Sequence, residues 1–286
     1  MEEFSFRLLM LVLISHLAFV EFSLAKTNST STGGDRLAAD VDRCPAPAPC
    51  ECEPTTDRLV VNCRQHGLVQ VPNFSQSDEL VDELTLAKNL LVRLPDDAFH
   101  GLRVRRLDLR DNDLVTIDEF AFRGLKDHLE ELLIQLDGSA WFPSSAVQPL
   151  TGLRVLHVIG YGGSSELPTG ALGSFEMLQE LHLTDGGLQR LKQSDFTAMS
   201  VSLSVLSLSN NPLSNVPTDA LTSLRNLRQL YLSGCQISRI EARAFTTAGS
   251  HTRTLANRIR LQLIDLSHNE LQVRVVVIII LTYLCL

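Results

Sequence analysis

The chain has 286 residues, of which 44% are hydrophobic and 20% are charged, and its formal net charge is -8. This composition is that of a globular protein, and the length suffices for one large domain or two small ones. Because the Lys and Arg residues are scattered over an acidic chain, there is no basic stripe to bind a phosphate backbone, which argues against a nucleic-acid partner.

The first 25 residues predict a secretory signal peptide. An apolar stretch from Leu8 to Val20 is followed by Ser23-Leu24-Ala25, which places small residues at the -3 and -1 positions of a cleavage site. A membrane anchor is the alternative, but this stretch is shorter than the about 20 residues that a helix needs to cross a bilayer.

Four cysteines follow a polar linker, residues 26–43, and predict a disulfide-bonded cap over residues 44–63. Their density favours disulfides that form in an oxidising compartment. A zinc site is the alternative, but the spacing lacks the paired C-x2-4-C geometry. Two N-glycosylation sequons, at Asn28 and Asn73, are usable only in a secreted chain. The cysteines are Cys44, Cys50, Cys52 and Cys63.

An internal repeat fills residues 59–271. Counted from Asn112, apolar residues fall at positions -5, -3, +2, +5, +10 and +13. The frame is complete at Asn89 and Asn211. It is kept at Gly186 and Cys235, where another residue replaces the anchor Asn. It is degraded at Asp137 and Tyr161.

This pattern resembles the extracellular leucine-rich repeat family with an N-terminal cysteine cap, over roughly Cys44 to Leu271. The resemblance implies an α/β-type repeat solenoid, a horseshoe with a parallel β-sheet on its concave face and irregular or short helical segments on its convex face. It also implies that Cys44 pairs with Cys52 and Cys50 with Cys63, although the sequence alone permits three connectivities.

Each repeat predicts one coil, in which a short strand leads through a turn to a returning segment whose Phe at +10 helps to fill the core. The Asn anchor is expected to be buried and to bond neighbouring backbone groups that would otherwise be unpaired. Cys235 is expected to fill the same slot as a compact buried thiol rather than as a reactive one.

The side chains that alternate with the inward leucines predict the functional surface, because solenoids of this family usually bind proteins through the concave face. A central column of these side chains should repeat about every 4.8 Å, the spacing of paired strands. Its members are Thr85, Asp108, Leu133, His157, His182, Ser207, Tyr231 and Asp265. The residues predicted to contact a partner are Asp108, Arg110, Leu133, Val155, His157, Ile159, His182 and Tyr231.

The concave columns differ in chemistry along the chain. Glu83, Arg106 and Glu131 alternate in sign on adjacent strands, which favours a weak surface ion ladder over a binding site. Farther along, outward-pointing apolar residues are better candidates for partner contact. They are Leu133, Val155, Ile159 and Tyr231.

His157 and His182 are expected to be neighbours on adjacent strands. One hypothesis is that their protonation near pH 6 makes partner binding pH-sensitive, and another is that they hold a metal ion. Solvated histidines without a function are the default interpretation, so no metal site is predicted.

No catalytic class finds support, because the sequence has no P-loop, G-x-S-x-G, H-E-x-x-H or Gly-rich dinucleotide motif. We therefore expect a non-catalytic protein without cofactors that binds an extracellular protein, either secreted or displayed on the outer face of the plasma membrane. The alternatives are a secreted matrix or carrier protein and a truncated product without independent function. Oligomerisation is possible, and membrane association is expected only if a longer form carries an anchor.

The C-terminal part departs from the repeat. The surplus residues 250–260 carry none of the repeat anchors, and Arg274 occupies the +5 apolar position of the last coil. The apolar tail, residues 272–286, is too short for a membrane helix and lacks the polar spacer of a lipid-anchor signal. The preferred interpretation is a sequence that leaves the repeat array prematurely, with an apolar edge prone to association.

Overall fold

The computed structural model describes residues 44–54, 58–241, 244–245 and 261–271. The predicted signal peptide, the linker with Asn28, the 250–260 segment and the apolar tail all lie outside the described residues.

Within the described residues, ten strands form one sheet in the order β1-β2-β3-β5-β7-β8-β9-β10-β11-β12, and β4 pairs with β6 beside it. Only the pairing of β1 with β2 is antiparallel among these strands; the others are parallel. The bounds are β1 Glu51–Pro54, β2 Leu59–Asn62, β3 Leu80–Thr85, β4 Arg93–Leu94, β5 Arg103–Leu114, β6 Thr116–Ile117, β7 Glu131–Leu136, β8 Val155–Ile159, β9 Glu180–Thr184, β10 Val205–Ser207, β11 Gln229–Tyr231 and β12 Leu263–Asp265.

The core lies between the sheet and the returning segments of the coils. Inward leucines such as Leu107 and Leu181 are fully buried, as the alternation of side chains along a strand requires. The rings of Phe99 and Phe122, both at the +10 position, stack with centroids 6.0 Å apart. The returning segments carry short α-helices at Ser144–Val147 and Thr218–Leu221 and 3-10 turns at Arg123–Leu125 and Gln193–Phe196. The predicted parallel-sheet solenoid is confirmed.

The buried Asn anchors tie each coil to the one before it. The Asn112 Nδ2 donates to the carbonyl oxygens of Leu86 and Leu109, both at 3.0 Å. Its Oδ1 accepts the backbone N–H of Leu91 at 3.1 Å. The same exchange recurs at Asn89, Asn211 and Asn269. Cys235 fills the slot as predicted, as a buried thiol that donates to the Leu208 carbonyl.

Two irregular anchors, Tyr161 and Gly186, compensate for each other. The Tyr161 side chain is 2% exposed, and its hydroxyl donates to the Asn211 Oδ1 at 3.4 Å. A Cβ atom on Gly186 would lie 2.6 Å from the Cζ of the tyrosine and 2.9 Å from the Asn211 Oδ1. The tyrosine therefore occupies the space that an anchor side chain at Gly186 would need.

A disulfide-bonded segment precedes the first parallel strand. Cys44 is bonded to Cys52, and Cys50 to Cys63, which confirms the pairing that the family resemblance implies. The antiparallel pairing of β1 with β2 covers the edge of β2 that the parallel strands would otherwise leave open. Backbone groups at that edge are thereby bonded within the chain rather than left open to pair with another strand.

Asn112→Ala is expected to lower the free energy of unfolding by about 3 kcal/mol, because several buried backbone groups lose their partner at once. Chemical denaturation followed by circular dichroism measures the change. The control is Asn215→Ala, because Asn215 is exposed and its loss should cost less than about 0.5 kcal/mol. Equal effects of the two substitutions would contradict the role assigned to the anchor.

Gly186→Ala is expected to destabilise the chain by about 2 kcal/mol, because the added methyl group overpacks against the Tyr161 ring. Gly152→Ala is the matched control, since the nearest atom to a Cβ there is 3.7 Å away. Thermal unfolding of both variants tests the compensation, and similar melting temperatures would refute it.

Candidate partner-binding face

Side chains that point away from the core form columns across the paired strands. The central column matches the predicted register at every step that joins β3 to β12. It contains Thr85, Asp108, Leu133, His157, His182, Ser207, Tyr231 and Asp265. We call this side of the ten-stranded sheet the outward face; it corresponds to the concave face of the sequence analysis.

The predicted ion ladder is present at the N-terminal end of the outward face. The Arg106 Nη1 lies 2.6 Å from the Glu131 Oε2, and its Nε lies 3.6 Å from the Glu83 Oε1. The three side chains are each about one-third exposed or slightly more. Ion pairs at such exposure contribute little to stability. The ladder therefore fixes the positions of charges rather than holding the sheet together.

Asp108 accepts hydrogen bonds from the side chain of Arg110 on the same strand. The Arg110 Nε and Nη2 donate to the two carboxylate oxygens of Asp108 at 2.9 and 2.7 Å. Burial raises the pKa of Asp108, but the hydrogen bonds from Arg110 outweigh it and hold the pKa below its ordinary value. Asp108 is only 3% exposed. The prediction of direct partner contact is thus corrected for Asp108: it positions Arg110, whose side chain is 38% exposed.

The predicted exposure of Leu133 is wrong, since this residue is only 3% exposed. It lies on the outward face, but it is paired with Asp108 on one side and His157 on the other. Strands separated by about 4.8 Å leave little room beside a central side chain. Val155, Ile159 and Tyr231 are partly exposed. These three lie at the flanks or farther along the column and remain accessible.

His157 and His182 stack on the outward face with ring centroids 3.8 Å apart and an angle of 32° between the rings. Burial lowers the pKa of both imidazoles, and the neighbouring His182 and Arg110 help to bring that of His157 to about 3. Burial thus disfavours the charged form of both rings, which opposes the hypothesis that their protonation near pH 6 controls partner binding.

One group of potential metal ligands lies among the described residues, and it is at this histidine pair. The ligand atoms of His157, Glu180 and His182 all lie within 4.8 Å of one another. The glutamate joins the pair because it precedes His182 by two residues on β9 and points to the same side. Sequence reasoning considered the two histidines but missed the glutamate.

A second exposed surface was missed by the sequence reasoning. Val69, Val92 and Val115 recur every 23 residues and are 69%, 51% and 42% exposed. Val115 also lines a groove with Trp141, which is 67% exposed. We call these four residues the apolar flank. The sequence pattern that could have predicted the apolar flank is an apolar residue three positions after Asn89 and Asn112, because this position lies outside the core frame.

Three further observations bear on the environment of the chain. The two disulfides are bonds typical of an oxidising compartment. Asn73 is exposed, as a glycosylation acceptor must be. Within the described part of the chain, no helix has the length and apolar character needed to cross a membrane.

Comparisons with known proteins agree with the repeat pattern. The leucine rich repeat family matches twice, over residues 79–135 and 176–237. A search of curated proteins found no match. Among solved structures, human 5T4 (Wnt-activated inhibitory factor 1, trophoblast glycoprotein) is similar with a TM-score of 0.50 and 21% identity, covering 77% of this chain and 95% of that one. At this identity the likeness bears on the fold alone.

Asp108→Asn is expected to destabilise the chain by on the order of 1–2 kcal/mol at pH 7, because the charge-assisted bonds to Arg110 weaken. A lowered pKa in the folded state means that this contribution is complete above about pH 4 and is lost as the pH falls below it. Denaturation at pH 7, 4 and 2.5 should therefore show the difference between wild type and variant shrinking. Asp113→Asn, at an exposed position of the same coil, controls for loss of charge. If the difference in unfolding free energy between wild type and Asp108→Asn did not change with pH, the stabilising role of the Asp108–Arg110 pair would be contradicted.

Proposed function

We propose that this chain of leucine-rich repeats, with its N-terminal pair of disulfides, is an extracellular recognition or adhesion module. In this proposal it binds a protein partner through the outward face and catalyses no reaction. The observation that carries the proposal is the ordered array of side chains on that face, which parallel strands hold in register from β3 to β12.

The outward face combines the groups that protein interfaces use. Arg110 offers a partly exposed guanidinium whose direction Asp108 fixes. Tyr231 presents a partly exposed ring, and its hydroxyl donates to the Gln229 Oε1 at 2.9 Å. Arg and Tyr are enriched among the residues that contribute most to protein binding. Because both are held by neighbours on the same strand, little side-chain entropy remains to be lost on binding.

An extracellular location is supported by three independent features. The cap carries two disulfides, the exposed Asn73 lies in a sequon, and the first 25 residues have the composition of a signal peptide. The negative net charge favours a protein over a nucleic acid as the partner.

A purely binding role is supported by how the charged groups on the face are used. Asp108, Glu83 and Glu131 each lie against an arginine. The hydrogen bonds from Arg110 hold the pKa of Asp108 below its ordinary value, so this carboxylate is a poor proton donor at neutral pH. The proposed role therefore depends on shape and fixed charge, as in other repeat solenoids with extended binding surfaces.

The proposal predicts that bulky substitutions on the outward face weaken partner binding. Purified protein is screened by biolayer interferometry against an array of secreted proteins and receptor ectodomains. Thr184→Arg and Ser209→Arg add volume at two partly exposed positions of the face, and each should weaken a confirmed interaction at least tenfold, or about 1.4 kcal/mol. The control Thr222→Arg lies at the end of the short helix in a returning segment and should leave the affinity unchanged.

The apolar flank provides the competing surface. If Val92→Glu and Val115→Glu abolish binding while both face variants retain it, the outward face is not the binding surface. Absence of any partner across the array would count against a recognition role altogether.

A further inference from the structure

The stacked histidine pair has a ligand geometry that partner recognition does not explain. His157 on β8 and His182 on β9 occupy directly paired positions. Their ligand atoms and those of Glu180 lie within 4.8 Å of one another. Three residues on two hydrogen-bonded strands of a packed sheet form a site whose backbone is already fixed before any ligand binds.

The His182 ring contains a polar atom without a partner among the described residues. Its Nε2 is shielded from solvent and makes no hydrogen bond, and it lies 3.9 Å from the Glu180 Oε2. Leaving such a buried atom unbonded is energetically costly. A cation bound between the ring nitrogen and the carboxylate would satisfy both groups.

A metal ion binds the lone pair of a neutral imidazole nitrogen. Burial of each ring disfavours its charged form and lowers its pKa. Arg106 and Arg110 oppose a cation here, but they are paired with Glu131 and Asp108. The Glu180 carboxylate supplies the negative charge of the site itself.

The donor set selects the kind of metal. Two imidazoles and one carboxylate are the three protein ligands of many zinc sites that keep an open fourth position. Calcium and magnesium prefer oxygen ligands throughout and fit this set poorly. Ligand atoms around tetrahedral zinc lie roughly 3.3–3.6 Å apart, so no pair of the three donors has to approach by more than about 1.5 Å.

We propose that His157, Glu180 and His182 bind one Zn²⁺ ion on the outward face, with the fourth coordination position open to water or to a donor from a bound protein. This site goes beyond the proposed function and does not depend on it. An ion held there would add a fixed positive charge and an open coordination position to the middle of the face.

Calorimetric titration of ZnCl₂ into the metal-free full chain tests the site. The expected result is saturable binding of one ion per chain. His182→Gln and Glu180→Gln should each weaken the affinity at least tenfold, because a chelate loses one of its three ligands. His100→Gln is the matched control, since His100 is exposed and its ring hydrogen-bonds only the side chain of Gln76 among the described residues.

Absorption of bound Co²⁺ provides a second readout that does not depend on heat. A tetrahedral site gives intense visible bands, and these should vanish in His182→Gln while persisting in His100→Gln. Circular dichroism shows whether each variant is folded; if His182→Gln is not, Glu180→Gln decides. Failure of the wild-type chain to bind zinc saturably would overturn the proposal. Binding that neither substitution weakens would overturn it too, because the ion would then sit elsewhere on the chain.

Discussion

The stacked coils depend on one requirement: the backbone groups where each coil turns away from its strand must find partners inside the protein. An asparagine amide meets it by bonding its own coil and the preceding one together, as Asn112 does with Leu109 and Leu86. Unpaired buried backbone groups are costly. This bond therefore sets the register of successive strands, and the register in turn creates the columns of the outward face.

The exceptions show that the requirement is physical rather than a matter of residue type. Cys235 meets part of it with a thiol that bonds the Leu208 carbonyl. Gly186 provides no side chain at all, and the ring of Tyr161 enters its space and bonds Asn211 in the next coil. Strands β8, β9 and β10 keep their parallel pairing across these irregular coils. The central column therefore continues through them without a break, and the histidine pair lies within that unbroken part.

The sequence predicted the features that follow from period and spacing. The register of the central column, the buried anchors and the ion ladder of Arg106 all depend on which residues recur at fixed intervals. The disulfide pairing came instead from the family resemblance, because spacing alone allowed three connectivities.

What the sequence missed depends on lateral packing, which a repeat frame does not describe. Leu133 alternates with inward residues and so was expected to be exposed, yet its neighbours across the strands cover it. The same crowding buries Asp108 and lowers the pKa of the stacked His157 and His182. The packing of the Tyr161 ring into the space beside Gly186 was also not predicted, because it depends on residues of two different coils, one with a large side chain and one with none.

The most direct test of the outward face as a recognition surface is a glycan placed on it. Tyr231→Asn converts Tyr231-Leu-Ser233 into a sequon on β11, and Ser200→Asn creates another beside the exposed Val201 in a turn that precedes β10. The measurement is binding of the two secreted, glycosylated chains to the same protein partner. Our account predicts that the glycan at position 231 abolishes binding while the glycan at position 200 leaves it intact. Full binding by the chain glycosylated at position 231 would contradict it.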